Sequence, residues 1–297
     1  MQTEQPEPLM LPNFFIVGAP KAGTTSLYHY LDAHPDVFMS PIKETNYFSY
    51  ESAVKQDLYY KERGISNWND YKKLFENSDG KKAVGEASVS YLFYEAVPQL
   101  IKNKIHDARI IILLRNPVER AYSHYQMDCK LGYVNTSFEK IIFNKNRTPL
   151  ENLFYQQFIL LGLYYEQVKR YMDVFGTEKV LVILFDDFKN TTEKEINRLY
   201  RFLEIDETVK LNLDKTHNPF ATPRNSVFRF IYRFKKVRLM MKNLLPKKIQ
   251  LYILEIILTK KKAPVEEKTI KFLNEFYKPD IMKLEKLLNR NLSKWHE

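Results

Sequence analysis

The feature that most constrains the fold is a glycine-containing loop between a predicted strand and a predicted helix. The strand is the apolar run FFIV at 14–17, which stops at Gly18, and the helix is TTSLYHYLDAH, which opens with threonines. Backbone amides in such a loop and in the first helical turn lack partners and favour negative charge. The segment therefore predicts a phosphate-binding loop in an α/β protein.

The lysine of this loop stands in an unusual place. In the nucleoside-triphosphate motif G-x-x-x-x-G-K-[ST], the lysine follows the second glycine and reaches the terminal phosphates. Here Gly18 and Gly23 have the right separation, but Thr24 follows Gly23 and the only lysine, Lys21, lies inside the loop. This argues against a triphosphate ligand, although the two glycines alone are also compatible with a simple strand-to-helix turn.

The rest of the chain repeats the pattern of strand followed by helix. Apolar runs in KAVGEASVSYLF, ARIIILLRNP and KVLVILFDDF are followed by the helical patterns PQLIKNKIH, VERAYSHYQMDCK and TTEKEINRLYRFLEI. Continuous apolar strands that alternate with helices predict a P-loop-like parallel sheet with helices on both faces, here with a helical C-terminal region. We expect one domain over 1–297, with 1–12 as a flexible N-terminal segment.

Ligands of such sheets bind at the carboxyl ends of the strands. Several polar or loop residues fall at or just beyond these predicted ends: Gly18, Lys21, Glu86, Arg115 and Asp186. Arg115 ends a strand and Ser123 follows about two helical turns later. These two side chains either hold a second phosphate or are a turn-capping arginine and a solvent-facing serine.

Charge and composition narrow the class of partner. With 46 basic and 36 acidic residues, the formal charge is +10, which favours anionic ligands. No zinc-finger, RRM-type or helix-turn-helix signature is present, so we expect no nucleic acid partner. The basic and aromatic segment 224–248 is interpreted as a solvated helix face, an acceptor platform or a peripheral membrane contact.

The absence of a signal-peptide pattern and the single cysteine, Cys129, favour a cytoplasmic protein.

Four motifs together resemble a known family. In this order and spacing, PKAGTTSLY, KETNYF, GEASVSYL and LLRNPVERAYSHY resemble the sulfotransferases that use 3′-phosphoadenosine 5′-phosphosulfate (PAPS), above all bacterial members and the domains that act on heparan sulfate. Less specific likenesses, LGLYYEQVKRYMDVFGTEKVLVILFDDF and FYKPDIMKLEKLLNRNLSKW, extend the resemblance over most of the chain.

The resemblance implies a role for individual residues. The loop matching 20–26 would wrap the 5′-phosphosulfate, with Lys21 beside the oxygen of the leaving phosphate. Arg115 and Ser123 would hold the 3′-phosphate, and Glu44 in KETNYF would be the general base. The expected cofactors are PAPS as donor and adenosine 3′,5′-bisphosphate (PAP) as product, with no metal. The full set of predicted nucleotide-binding residues is Lys21, Ala22, Gly23, Thr24, Thr25, Ser26, Arg115, Ser123 and Arg224.

The acceptor is less constrained. Heparan-type enzymes often carry a lysine where this chain has Ala87, which tilts the expectation towards a small molecule over a glycan, sulfated on a hydroxyl or an amine. Glu44 could also be half of a solvated ion pair with Lys43, in which case His124 and Glu86 are the next candidates for the base.

Two other functions remain open at this level. A P-loop kinase would need Asp186 or Asp187 to organise magnesium. A basic module that binds polyanions would explain the charge and leave the spacing of Arg115 and Ser123 as coincidence. The sequence indicates no oligomeric state.

Overall fold

A computed structural model of the chain describes residues 11–60, 64–210, 222–223, 246, 249, 258–259 and 264–296. The chain divides into two compact units, each built from two segments. Unit 1 comprises Met1–Arg115 and Tyr164–His217, and unit 2 comprises Asn116–Leu163 and Asn218–Glu297. The single domain over 1–297 stays a prediction, and most of the expected flexible segment 1–12 lies outside the described residues.

Unit 1 contains a five-stranded parallel sheet in the order β2-β3-β1-β4-β5. The strands are β1 (Phe14–Gly18), β2 (Val37–Met39), β3 (Ala83–Ala87), β4 (Arg109–Leu114) and β5 (Val180–Leu184). All residues of β1, β3 and β5 are buried. This confirms the parallel sheet, and the structure adds β2, a three-residue strand at one edge.

The described helices follow the predicted pattern and extend it. They are α1 (Thr24–Asp32), α2 (Tyr50–Lys55), α3 (Trp68–Lys73), α4 (Val97–Lys104), α5 (Pro117–Leu131), α6 (Phe138–Phe143), α7 (Pro149–Phe158), α8 (Tyr164–Phe175), α9 (Phe185–Asn190), α10 (Thr192–Leu203) and α11 (Glu267–Leu288). Helices α5, α6, α7 and α11 belong to unit 2 and the others to unit 1. Of the helices described, none combines the length and the apolar character needed to cross a membrane.

The direction of the crossovers places helices on both faces of the sheet. The connection β1-α1-β2 runs along the sheet in one direction, and β3-α4-β4 runs in the other. Because such crossovers are right-handed, α1 and α4 lie on opposite faces, and α8 packs against α4. The neighbouring strands β1 and β3 therefore send the chain to opposite faces, and the crevice between their carboxyl ends is the usual ligand site of such a sheet.

The described part of unit 2 is helical, apart from a short antiparallel pair between β6 (Thr222–Pro223) and β7 (Leu258–Thr259). Helix α7 begins with a capping box, in which the side chains of Thr148 and Glu151 each accept from the other's backbone amide. Helix α11 packs against α5, and Tyr277 donates to the Ile159 carbonyl at 2.9 Å. Helix α11 is the predicted C-terminal helical region.

Candidate functional site

The loop that follows β1 is held in an unusual backbone conformation. Lys21 has φ 68° and Gly23 has φ 94°, so both lie in the left-handed region. The Ala19 amide donates to the Leu113 carbonyl of β4 at 2.6 Å, and the Ala22 amide donates to the Ala19 carbonyl at 3.2 Å. The loop therefore curls back on itself while anchored to the neighbouring strand.

Close packing requires glycine at both ends of this loop. A Cβ atom at Gly18 would lie 2.7 Å from the Leu92 Cβ, a distance at which the backbone or Leu92 would have to move. At Gly23 a Cβ would lie 3.0 Å from the ring of Phe185, in addition to the left-handed strain that a side chain meets there. Each of the two glycines is thus required by its own close contact, Gly18 with Leu92 and Gly23 with Phe185.

Helix α1 opens directly behind the loop and presents an N-terminus without a negative partner of its own. Gly23 supplies no side-chain cap, and the first turn contains no acidic residue. Thr24 is buried, whereas Thr25 and Ser26 are half-buried and add hydroxyl donors. Unpartnered amides, the helix dipole and these hydroxyls together favour a bound anion.

Arg115, at the end of β4, reaches this loop. Its Nη1 donates to the Lys21 carbonyl at 3.4 Å, and its guanidinium lies 4.8 Å from the ring centroid of Phe185. Tyr164 donates to the Arg115 carbonyl at 2.9 Å. The structure therefore brings the Arg115 guanidinium against the backbone of the loop that carries Lys21. Phe185, which no sequence motif singled out, contacts both Gly23 and Arg115.

Glu44 lies in the loop that follows β2. Its Oε1 forms an ion pair with Lys43 Nζ at 3.3 Å, as one of the two readings of the sequence expected. The pair is not fully solvated, because only 14% of the Lys43 side chain and 29% of the Glu44 side chain are exposed. The Glu44 carboxylate is therefore fixed by its ion pair with Lys43 and remains partly accessible to solvent.

Beside this loop, at the end of β3, lies a fully buried carboxylate. Glu86 Oε1 accepts from Thr45 Oγ1 at 2.9 Å and from Ser88 Oγ at 2.5 Å, and Oε2 accepts from Tyr71 at 3.2 Å. Burial raises the pKa of Glu86 to about 7, while hydrogen bonds from these hydroxyls and from Tyr91 oppose the rise. We call these five residues the Glu86 cluster.

The Glu86 cluster connects the Glu44 loop to the central strand. The Asn46 amide donates to Ser88 Oγ at 2.9 Å, and the Phe48 amide donates to the Tyr91 hydroxyl at 3.2 Å. The Ser88 amide in turn donates to the Ile16 carbonyl of β1 at 3.1 Å. The Glu44 loop is therefore hydrogen-bonded through Ser88 to β1, the strand that leads into the phosphate loop. Thr45 and Ser88 lie within the motifs KETNYF and GEASVSYL, so their positions in these motifs could have identified them as site residues from the sequence.

The other predicted residues divide into three groups. Ser123 is half-buried on α5, two turns into the helix as predicted, and belongs to unit 2. His124, next to it, is buried, accepts from Arg120 and contacts the Gln157 carbonyl, which is a structural environment. Arg224, and all of 224–248 except residue 246, lie outside the described residues.

Three further positions, Ala87, Asp186 and Asp187, bear on the choice of acceptor and on the alternative function as a kinase. Ala87 is the last residue of β3 and is fully buried. The chain therefore has a buried, uncharged side chain at the position where a lysine was considered in the sequence analysis. Asp186 and Asp187 stand in the first turn of α9, directly behind β5. Across the described part of the chain, no group of three or more His, Cys, Asp or Glu side chains gathers closely enough to hold a metal ion.

Comparison with known proteins gives a consistent result. The family model described as sulfotransferase domain matches residues 11–284. The chain is 29% identical over 215 residues to human bifunctional heparan sulfate N-deacetylase/N-sulfotransferase 2, covering 69% of this chain and 23% of the relative. It is 26% identical over 256 residues to mouse carbohydrate sulfotransferase 15, covering 66% of this chain and 44% of the relative. The chain thus spans less than half the length of these curated relatives.

A solved structure matches over nearly the whole chain. The crystal structure of a sulfotransferase from Alicyclobacillus acidocaldarius superposes with a TM-score of 0.71 and 31% sequence identity, covering 97% of this chain and all of the other. The parallel sheet and its flanking helices are therefore shared with a solved relative of similar extent.

Proposed function

Because the chain belongs to the sulfotransferase domain family, we propose that it transfers the sulfuryl group of PAPS to a hydroxyl or amine of a carbohydrate or small-molecule acceptor. One observation carries the choice of donor. Lys21 stands inside a curled phosphate loop, and the Arg115 guanidinium donates to the backbone carbonyl of Lys21 at 3.4 Å, beside the N-terminus of α1, whose first turn lacks an acidic residue. This donor set fits a ligand with more than one anionic group.

The residues that would hold the donor are those of the loop and its neighbours. Amides and hydroxyls of 22–26 suit the 5′-phosphosulfate, with the Lys21 ammonium beside the phosphate that leaves. Arg115 suits the 3′-phosphate, because a guanidinium offers two parallel donors to one phosphate. The donor supplies the sulfuryl group itself. Ser123 and Arg224 remain further proposed contacts to the 3′-phosphate.

The chain must also accept a proton and stabilise developing charge. In the proposed step, a bond forms between the acceptor oxygen or nitrogen and sulfur while the bond from sulfur to the phosphate oxygen breaks. Glu44 takes the acceptor proton, for which its partial exposure gives access. Lys21 stabilises the negative charge that accumulates on the phosphate. Glu86 and His124, the other candidates for the base, are buried, which favours Glu44.

The acceptor class is proposed from the relatives. The names of the curated relatives mention heparan sulfate and carbohydrate, which supports a glycan acceptor. Because this chain has Ala87 where heparan-type enzymes often carry a lysine, a small-molecule acceptor is proposed as the alternative. Peripheral membrane contact through 224–248 stays a prediction, as does a cytoplasmic location.

The test of the donor is calorimetric titration of the protein with PAP, ADP and adenosine 5′-phosphate in the presence of EDTA. We expect saturable binding of PAP without metal and much weaker binding of the two nucleotides that lack the 3′-phosphate. No binding of PAP, or a preference for ADP that appears only with magnesium, would overturn the proposal and favour the kinase reading.

A further inference from the structure

The buried Glu86 carboxylate orders the hydroxyl groups around it. Thr45 Oγ1 and Ser88 Oγ both donate to Oε1, and Tyr71 donates to Oε2. Because the Thr45 proton is committed to Glu86, the 3.1 Å contact between Thr45 Oγ1 and the Tyr91 hydroxyl must have Tyr91 as donor. The hydroxyls of Thr45, Ser88 and Tyr71 thus donate to the carboxylate directly, and the Tyr91 hydroxyl donates towards it through Thr45.

This ordering continues into the backbone of the Glu44 loop. Tyr91, having donated its proton, accepts from the Phe48 amide, and Ser88 likewise accepts from the Asn46 amide. Thr45 also accepts from the Tyr47 amide at 3.3 Å. Three successive amides after Glu44 are therefore held by hydroxyls whose orientation Glu86 sets.

We infer that Glu86 is a positioning residue, which fixes the loop carrying Glu44 through the hydroxyls of Thr45, Ser88 and Tyr91. The inference rests on the proposed function, because it assigns the loop a purpose in the transfer step. Thr45 is the direct link, since it is joined to Glu44 by a peptide bond and to Glu86 by a hydrogen bond of 2.9 Å.

Glu86 does not itself meet the reacting groups. It is fully buried, and both carboxylate oxygens already accept hydrogen bonds. The ionisable groups that face it are the phenols of Tyr71, Tyr91 and Tyr171, and burial raises the pKa of each well above its usual range, so they stay neutral donors. Above its folded pKa of about 7, Glu86 is a charged carboxylate among neutral donors, which aligns their dipoles without supplying a reactive group.

The experiment compares wild type with Thr45→Val, which loses the hydroxyl at nearly constant shape, and Thr45→Ser, which keeps it. Three quantities are measured for each: PAP affinity by calorimetry, kcat with PAPS and heparin freed of its N-sulfates, and hydrogen exchange of the amides in 43–50. We expect Thr45→Val to lower kcat about ten- to a hundredfold, as a small misplacement of a reacting group does. PAP affinity should be unchanged, and exchange of the Asn46–Phe48 amides faster.

Thr45→Ser is expected to restore kcat and amide protection, which a purely steric role of Thr45 would not do. Wild-type kcat and exchange in Thr45→Val, or an equal loss in Thr45→Ser, would overturn the inference while PAP binding upholds the proposed function. If PAP binds but the heparin is not an acceptor, unchanged exchange in Thr45→Val overturns it by itself. A wild type that binds no PAP and transfers nothing removes the proposed function, and the inference falls with it.

Discussion

The guanidinium of Arg115 lies 3.4 Å from the carbonyl oxygen of Lys21 and 4.8 Å from the ring centroid of Phe185. Arg115 ends one strand, Lys21 follows the adjacent strand, and Phe185 follows the strand on the other side of Arg115. The three strands are neighbours in the sheet, so residues far apart in sequence lie together at its carboxyl end, where the proposed function places the nucleotide.

Replacing Arg115 should weaken nucleotide binding. A hydrogen bond to a charged group contributes about 1.5–3 kcal/mol, so Arg115→Ala should lower PAP affinity about ten- to a hundredfold, by calorimetry. Arg109→Ala is the matched control, because Arg109 lies at the opposite end of β4 and pairs with Glu204. Equal losses in the two variants would show that Arg115 contributes only general charge.

Removing the carboxylate of Glu44 should stop transfer without releasing the donor. Glu44→Gln keeps the shape of the side chain and loses its basicity, so we expect kcat to fall about a hundredfold or more and PAP affinity to stay within about twofold. Glu51→Gln, on the exposed surface of α2, is the control. Near wild-type turnover in Glu44→Gln would mean that another group accepts the proton.

Alanine substitutions at two glycines with positive φ should distinguish the effect of backbone strain from the effect of a lost contact in the phosphate loop. Gly23 (φ 94°) faces Phe185, whereas at Gly80 (φ 71°) an added Cβ would meet nothing within 4 Å. Alanine in the left-handed region costs about 1–2 kcal/mol, so both variants should lose stability in denaturant titrations. Only Gly23→Ala should also lose PAP affinity. Unchanged PAP binding in Gly23→Ala would show that the loop can shift without harm.

The raised pKa of Glu86 predicts a pH dependence of stability. Between the ordinary pKa of 4.5 and the folded pKa of about 7, the folded protein keeps a proton that the unfolded chain has released. The contribution of Glu86 to stability therefore decreases as pH rises through this window, by at most about 3 kcal/mol. Above the folded pKa it changes no further.

Denaturant titrations at pH 5 and pH 8 check this expectation. The free energy of unfolding of wild type should fall between these two values relative to that of Glu86→Gln, which cannot ionise. Glu76→Gln, at an exposed position, should track the wild type. If Glu86→Gln showed the same pH dependence as wild type, Glu86 would not titrate in this range.

Sequence patterns were sufficient for the parts of the fold with long-range regularity. The long apolar runs became β1, β3, β4 and β5, because a strand buried on both faces needs apolar residues at every position. Strand β2 was not predictable, since VFM is too short for a periodic pattern, and its place at the edge depends on pairing with β3. Helix α7 did carry a local signal, the capping box at Thr148 and Glu151.

The candidate site was predictable where a motif is local and not where contacts are distant in sequence. The phosphate loop lies within ten residues, so its glycines and lysine were visible together. The Glu86 cluster joins residues about forty positions apart, from Thr45 to Tyr91, and Phe185 reaches Gly23 across the sheet. Such contacts follow from the order of the strands, which the sequence does not state.

The chain leaves unit 1 after Arg115 and re-enters it at Tyr164, the first residue of α8, and the Tyr164 hydroxyl donates to the Arg115 carbonyl at the point of departure. The excursion between them is thus a closed loop with its two ends fastened together. Doubling the length of such a loop costs only about 0.6 kcal/mol of closure entropy. A longer or shorter turn between the helices of 116–163 should therefore disturb the strands on either side little, provided that α5, which carries Ser123, keeps its place.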